Sequence, residues 1–159
     1  MKLKYIMEIN KHEAAIDLIS KLVKRSQWKG KAFLAGGSVR DKILNKPIKD
    51  LDITVAAPNG GIEFATWLAK KLKIFKSGTN PVLYPKFGTA KITLRGIDYK
   101  GFDLSDIDVE MVMTRKEKYT DGSRKPEVDY GTPEQDVERR DLTINSLLQD
   151  LTTWEIKDL

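Results

Sequence analysis

Two short stretches decide the fold: Gly36-Gly37-Ser38-Val39-Arg40-Asp41-Lys42-Ile43-Leu44-Asn45, then Asp50-Leu51-Asp52-Ile53-Thr54-Val55. Just upstream, Lys31-Ala32-Phe33-Leu34-Ala35 reads as a short buried strand that ends at the paired glycines. The spacing of Val39, Ile43 and Leu44 predicts a helix with these three as its apolar face, stopped near Asn45-Lys46-Pro47. Leu51, Ile53 and Val55 then alternate with Asp50, Asp52 and Thr54, the pattern of a half-buried strand. The local unit is therefore strand, glycine turn, helix, strand.

Chemistry follows from that unit. Residues two apart on a strand point to the same side, so Asp50 and Asp52 share one face at roughly 6.6 Å between Cα atoms, with Leu51 and Ile53 turned to the core. Two carboxylates side by side repel unless a cation lies between them. Two-metal phosphoryl transfer calls for such a pair. Gly36 and Gly37 let a phosphate chain approach the backbone, the helix start offers N–H groups, and Arg40 adds a charged donor. The turn matches neither the Walker pattern nor Gly-x-Gly-x-x-Gly. Taken singly, each motif has a plainer reading, a solvated strand edge for the acids and a ligand-free tight turn for the glycines.

The composition narrows the classes. Of the 159 residues, 40% are hydrophobic and 32% charged, which fits a single globular domain. No apolar run approaches the roughly 20 residues of a membrane span, and Met1-Lys2-Leu3-Lys4 lacks a signal core, so the expected location is cytoplasmic. With no cysteine and one histidine, His12, any metal must rest on carboxylates, which favours Mg²⁺ with Mn²⁺ as an alternative. The net charge of +5 suits a polyanionic partner.

Along the rest of the chain, Ile16, Ile19, Leu22 and Val23 predict a helix over residues 12–27, and a second helix is expected from Ile62 to Leu72. Strands are expected at Ala90–Leu94 and Ile107–Met113, and a loop over Thr114–Thr132. Thr132-Pro133-Glu134-Gln135 starts a last helix with a capping box, and Val137, Ile144, Leu148 and Leu151 form its buried stripe. On that helix Asp141 and Asn145 lie one turn apart at one margin of the stripe and Arg140 lies at the other. Trp28, Trp67 and Trp154 read as packing or interface residues and His12 as a surface or helix-start residue. Lys70, Lys71 and Lys73 read as a solvated helix end, with RNA contact as the alternative. The fold class is α+β, with helices on one face of a small mixed sheet.

The segment Gly36–Asn45 followed by Asp50-Leu51-Asp52 resembles the first signature of class II CCA-adding enzymes and bacterial poly(A) polymerases, members of the polymerase-β-like nucleotidyltransferase superfamily. Glu138-Arg139-Arg140-Asp141-Leu142-Thr143-Ile144-Asn145-Ser146-Leu147 is similar to the same family's second signature. Asn45 and Ser146 stand where the family usually has glycine and alanine.

The resemblance implies one nucleotidyltransferase head over residues 1–159: an N-terminal helical segment 1–30, a catalytic core 31–150, and at 151–159 the start of a neck that is truncated or absent. It implies two Mg²⁺ ions on Asp50 and Asp52 and a triphosphate held by Gly36, Gly37, Ser38 and Arg40. Arg139, Arg140, Asp141 and Asn145 would hold the nucleotide. The family's third carboxylate, five residues before an arginine, falls on Glu110 ahead of Arg115, with Asp108 and Asp106 as alternatives. The implied reaction is transfer of AMP or CMP from ATP or CTP to an RNA 3′ end, tRNA above all, with pyrophosphate released. Transfer to a protein or small molecule, and a module that binds but has lost its chemistry, are the competing readings.

Overall fold

The computed structural model describes residues 2–46, 48, 50–118, 127–138 and 147–158. Helix α1 (Lys2–Lys24) leads into strand β1 (Ala32–Ala35), the short helix α2 (Gly37–Ile43) and strand β2 (Leu51–Val55). Helix α3 (Gly60–Lys71) follows, then β3 (Val82–Tyr84) and β4 (Thr89–Thr93), joined by the 3₁₀ turn Pro85–Phe87. Next come β5 (Asp98–Tyr99), β6 (Phe102–Asp103) and β7 (Asp108–Met113), then β8 (Arg115–Lys118) and β9 (Glu127–Tyr130). The last elements are α4 (Pro133–Glu138), β10 (Leu147–Asp150) and β11 (Ile156–Asp158). Seven strands form one mixed sheet in the order β11-β10-β1-β2-β7-β4-β3, and β5/β6 and β8/β9 are separate hairpins.

Among the described strands of that sheet, only the β2–β7 pair is parallel. Parallel neighbours need a long crossover, and here the intervening chain carries α3 across the sheet. Leu51, Ile53 and Val55 of β2, Val109 and Met111 of β7, and Ala90 and Ile92 of β4 join Phe64 and Leu68 of α3 and Ile16, Ile19 and Val23 of α1 in one core. Helices α1 and α3 thus cover one face, as the alternation in the strands requires. Trp28 packs edge-on against Phe64 at 5.5 Å between ring centroids and lies 6.5 Å from Trp67. Gly61 allows the close seating of α3, because a Cβ there would stand 2.4 Å from the Gly88 carbonyl and 2.8 Å from that of Met111.

Several expectations hold: β1, β2, β4, β7 and α3 fall within a residue or two of where patterning put them. Thr132 and Gln135 form the reciprocal capping box, the Gln135 N–H donating to the Thr132 hydroxyl and the Thr132 N–H to the Gln135 amide oxygen.

Others need correction. Helix α1 begins at Lys2, so His12 lies inside a helix rather than at its start. The loop expected over Thr114–Thr132 contains the β8/β9 hairpin. In α2 Val39 is buried, but Ile43 and Leu44 are half exposed, because the helix spans only seven residues and ends before a second apolar turn can dock. The last helix does not continue to Leu151: Leu147–Asp150 is a strand whose Leu148 pairs with Ala35 of β1. A free edge on β1 outweighs the 3.6-residue spacing there, and Gln149 and Asp150 are buried with Leu148.

Away from the sheet, Asp17 ties α1 to the β5/β6 hairpin. It accepts from the Tyr99 hydroxyl at 2.7 Å and faces the ammonium groups of Lys100 and Lys21 at 3.0 and 3.3 Å. The Tyr99 hydrogen bond and then Lys100 lower its pKa from 3.8 to about 2. A folded pKa below the unfolded one means stability that is present above the unfolded value and lost as pH falls towards the folded value. The side chain is one-third exposed, so screening limits the gain to about 1 kcal/mol or less. Urea unfolding of wild type and Asp17→Asn should therefore show a constant stability gap above about pH 5 that closes between about pH 4 and 2. A gap that widens on acidification would contradict the assignment.

Candidate active site

The face opposite α1 and α3 carries the polar set. On β2, β7 and β4 the residues that alternate with the core are Asp52, then Asp108 and Glu110, then Lys91 and Thr93. Register places Asp52 beside Glu110 and Glu110 beside Lys91, a lateral row of acid, acid and base across three strands. Asp50, at the mouth of β2, joins Asp52, Asp108, Glu110 and Lys91 around an open cleft of ≈ 370 Å³.

The three acids of the β7 segment have separate surroundings. Asp106 is turned away to an ion pair with Lys11 of α1, which holds its carboxyl below the usual range. Asp108 accepts from the Thr93 hydroxyl at 2.6 Å and has the Lys91 ammonium at 3.9 Å. Glu110 is exposed and sits in register with Asp52. No motif in the sequence marks Lys91. Its strand was legible, but the register that sets it against Glu110 is a property of the β4–β7 pairing.

The glycine turn lies next to this row. Gly36 has φ 62° and ψ −129°, a conformation in which a Cβ is strained, and it hands β1 over to α2. A Cβ on Gly37 would meet the Arg40 guanidinium at 3.2 Å, so Arg40 is folded back over the turn, where its Nε donates to Asp41 at 3.2 Å. Ser38 is buried, and its hydroxyl donates to the Asp50 backbone carbonyl. That hydrogen bond joins the two halves of the first motif directly. Arg139, Arg140, Asp141 and Asn145 lie outside the described residues.

A profile described as the poly A polymerase head domain matches residues 32–159. The chain belongs to the poly(A) polymerase head-domain family. It is 36% identical over 127 residues to the mitochondrial CCA tRNA nucleotidyltransferase of Saccharomyces cerevisiae, covering 79% of this chain and 23% of that protein. To the CC-adding tRNA nucleotidyltransferase of Deinococcus radiodurans it is 40% identical over 115 residues, covering 72% and 26%. Among solved structures, an apo form of a CCA-adding enzyme superposes with a TM-score of 0.67 at 26% identity, over 91% of this chain and 30% of the other. The chain thus spans about a quarter of the length of these curated relatives. The head-domain fold is that of the family, with a mixed sheet and helices across one face. No described helix is long and apolar enough to cross a membrane.

The donor set decides what ion this head domain can take. Only oxygens are offered, and among the described residues no three histidine or acidic groups form a ready metal cage. An open carboxylate pair fits Mg²⁺, which keeps water and substrate phosphate among its ligands. It does not fit an ion that needs sulfur or imidazole.

Ser38 gives the test of this arrangement. Ser38→Ala leaves the Asp50 carbonyl without its buried donor and should cost about 1–3 kcal/mol, lowering Tm by several degrees. Arg40→Ala, on a partly exposed side chain, should change Tm by less than about 2 °C. Equal losses in the two variants would show that Ser38 does not anchor the strand.

Proposed function

We propose that this head domain catalyses Mg²⁺-dependent transfer of AMP or CMP from ATP or CTP to the 3′ end of an RNA, a tRNA in the first instance. The observation that carries the reading is the row Asp52–Glu110 with Asp50 at the cleft mouth, on a chain whose relatives are named CCA tRNA nucleotidyltransferases. In the reaction the RNA 3′-hydroxyl oxygen bonds to the α-phosphorus of the nucleotide and the bond to the pyrophosphate oxygen breaks.

Asp50 and Asp52 would hold the metal ions. When bound, these supply charge neutralisation at the attacking and leaving oxygens. Glu110, in register with Asp52, is placed to accept the 3′-hydroxyl proton. Gly36 and Gly37 give the triphosphate room beside the backbone, and Arg40, folded over that turn, needs only to exchange Asp41 for a phosphate oxygen. Ser38 acts on the site through Asp50, whose carbonyl it holds. Arg139 and Arg140 on the phosphates, with Asp141 and Asn145 at the ribose, complete the site by family resemblance. Lys91 balances part of the acid row and keeps the cleft foldable when no cation is bound.

The direct test offers labelled ATP, CTP, GTP and UTP in turn to tRNA lacking its CCA end, with Mg²⁺. Wild type should incorporate C or A. Asp50→Ala and Asp52→Ala should lose at least about a thousandfold in rate, with circular dichroism unchanged, because both acids lie on the face away from the core. Full activity in either variant, or transfer to a protein acceptor instead of RNA, would overturn the reading.

A further inference from the structure

A second groove among the described residues is larger than the acid-lined cleft. It measures ≈ 600 Å³ and lies on the helical side of the sheet, between the C-terminal ends of α1 and α3. Its walls are Leu22 and Trp67, ringed by Lys21, Lys24, Arg25 and Lys71. Trp67 is half-buried, backed by Phe64 at 5.5 Å between ring centroids.

Cations at a helix end have a bland explanation in the helix dipole, but the sum here does not close. Four cations line the groove. Among the described residues one carboxylate ion-pairs with them, Asp17, which Lys21 already shares with Lys100, and two helix ends add about half a negative charge each. A net of about +2 remains. Lys24 rests over the Trp154 ring at 5.9 Å, and no ion pair involves Arg25 or Lys71 among the described residues. The like charges left over repel one another around the half-buried face of Trp67, and a polyanion with stacking surfaces relieves that repulsion.

We infer that this groove is a second RNA-binding site, distinct from the cleft, which takes a single-stranded segment with phosphates on Lys24, Arg25 and Lys71 and a base against Trp67. The choice of RNA over another polyanion rests on the proposed function. Aromatic platforms flanked by cations suit single strands without sequence readout, because every base presents a π-face. The sheet separates the groove from the carboxylates, since Leu51, Ile53 and Met111 face the helices while Asp52 and Glu110 face the cleft. An RNA held in the groove is therefore held away from the reacting 3′ end, as an anchor.

The experiment measures binding of a labelled single-stranded RNA by the full 159-residue chain across a salt series, with MgATP binding as the control. The triple variant K24E/R25E/K71E should bind the RNA at least about tenfold more weakly near 0.1 M salt, and the slope of log K against log salt should fall by about 2, at roughly 0.7 per phosphate lost. MgATP binding and circular dichroism should be unchanged. Trp67→Phe should lose most of the tryptophan quenching that RNA produces in wild type. Unchanged RNA affinity and slope in the triple variant would overturn the inference. So would absence of RNA binding in wild type, or an oligoglutamate peptide of equal charge competing on equal terms. Failure of transfer with these groove effects intact would count against the proposed function alone.

Discussion

The parallel pairing of β2 with β7 sets Asp52 against Glu110 on one face while Leu51, Ile53, Val109 and Met111 fill the core on the other. A one-residue slip in that register would turn every acid into the core and every core residue to water, so burial of the apolar set enforces the position of the acids. The connection between the two strands must cross the sheet, and α3 makes that crossing, seated closely because Gly61 has no side chain. The element that covers the core is thus also the element that makes the acid pair topologically attainable.

Concentrating Asp50, Asp52, Asp108 and Glu110 around one cleft is an electrostatic cost, and the structure limits it in two ways. The cleft is open, so water screens the acids. Lys91 sits in the same row, facing Asp108 and in register with Glu110, and supplies a cation that belongs to the chain itself. The Ser38–Asp50 hydrogen bond ties the glycine turn directly to the start of the strand that carries Asp52.

What the sequence disclosed follows from how local the signal was. Strand, glycine turn, helix and second strand at residues 31–55 are contiguous, and their alternation survives intact in the fold. The capping box of Thr132 and Gln135 was equally local and equally legible. The reading failed where pairing partners decide the outcome. Leu148 has helical spacing to Ile144 and Val137, yet β1 had an open edge and took Leu147–Asp150 as its neighbour. The β8/β9 pair is polar, and a two-stranded ribbon outside the main sheet shows no apolar alternation to distinguish it from a loop. The role of Lys91 is illegible for the same reason, since nothing in Ala90–Leu94 reveals which strand will lie beside it. Among the three acids before Arg115, the family resemblance favours Glu110, and the fold gives each different surroundings: Asp106 faces α1, Asp108 faces Thr93 and Lys91, and Glu110 lies in register with Asp52.

The central claim is that Asp50 and Asp52, with Glu110 beside them, form a cation-dependent phosphoryl-transfer centre on the face away from the helices. Crystals grown with Mn²⁺ and a non-hydrolysable ATP analogue address it directly through anomalous scattering. The account predicts anomalous peaks within roughly 2.0–2.4 Å of carboxylate oxygens of Asp50 and Asp52, with the triphosphate between those peaks and the Gly36-Gly37 turn. Manganese bound elsewhere on the chain, or a triphosphate seated in the helical-side groove with the acid row bare, would contradict it.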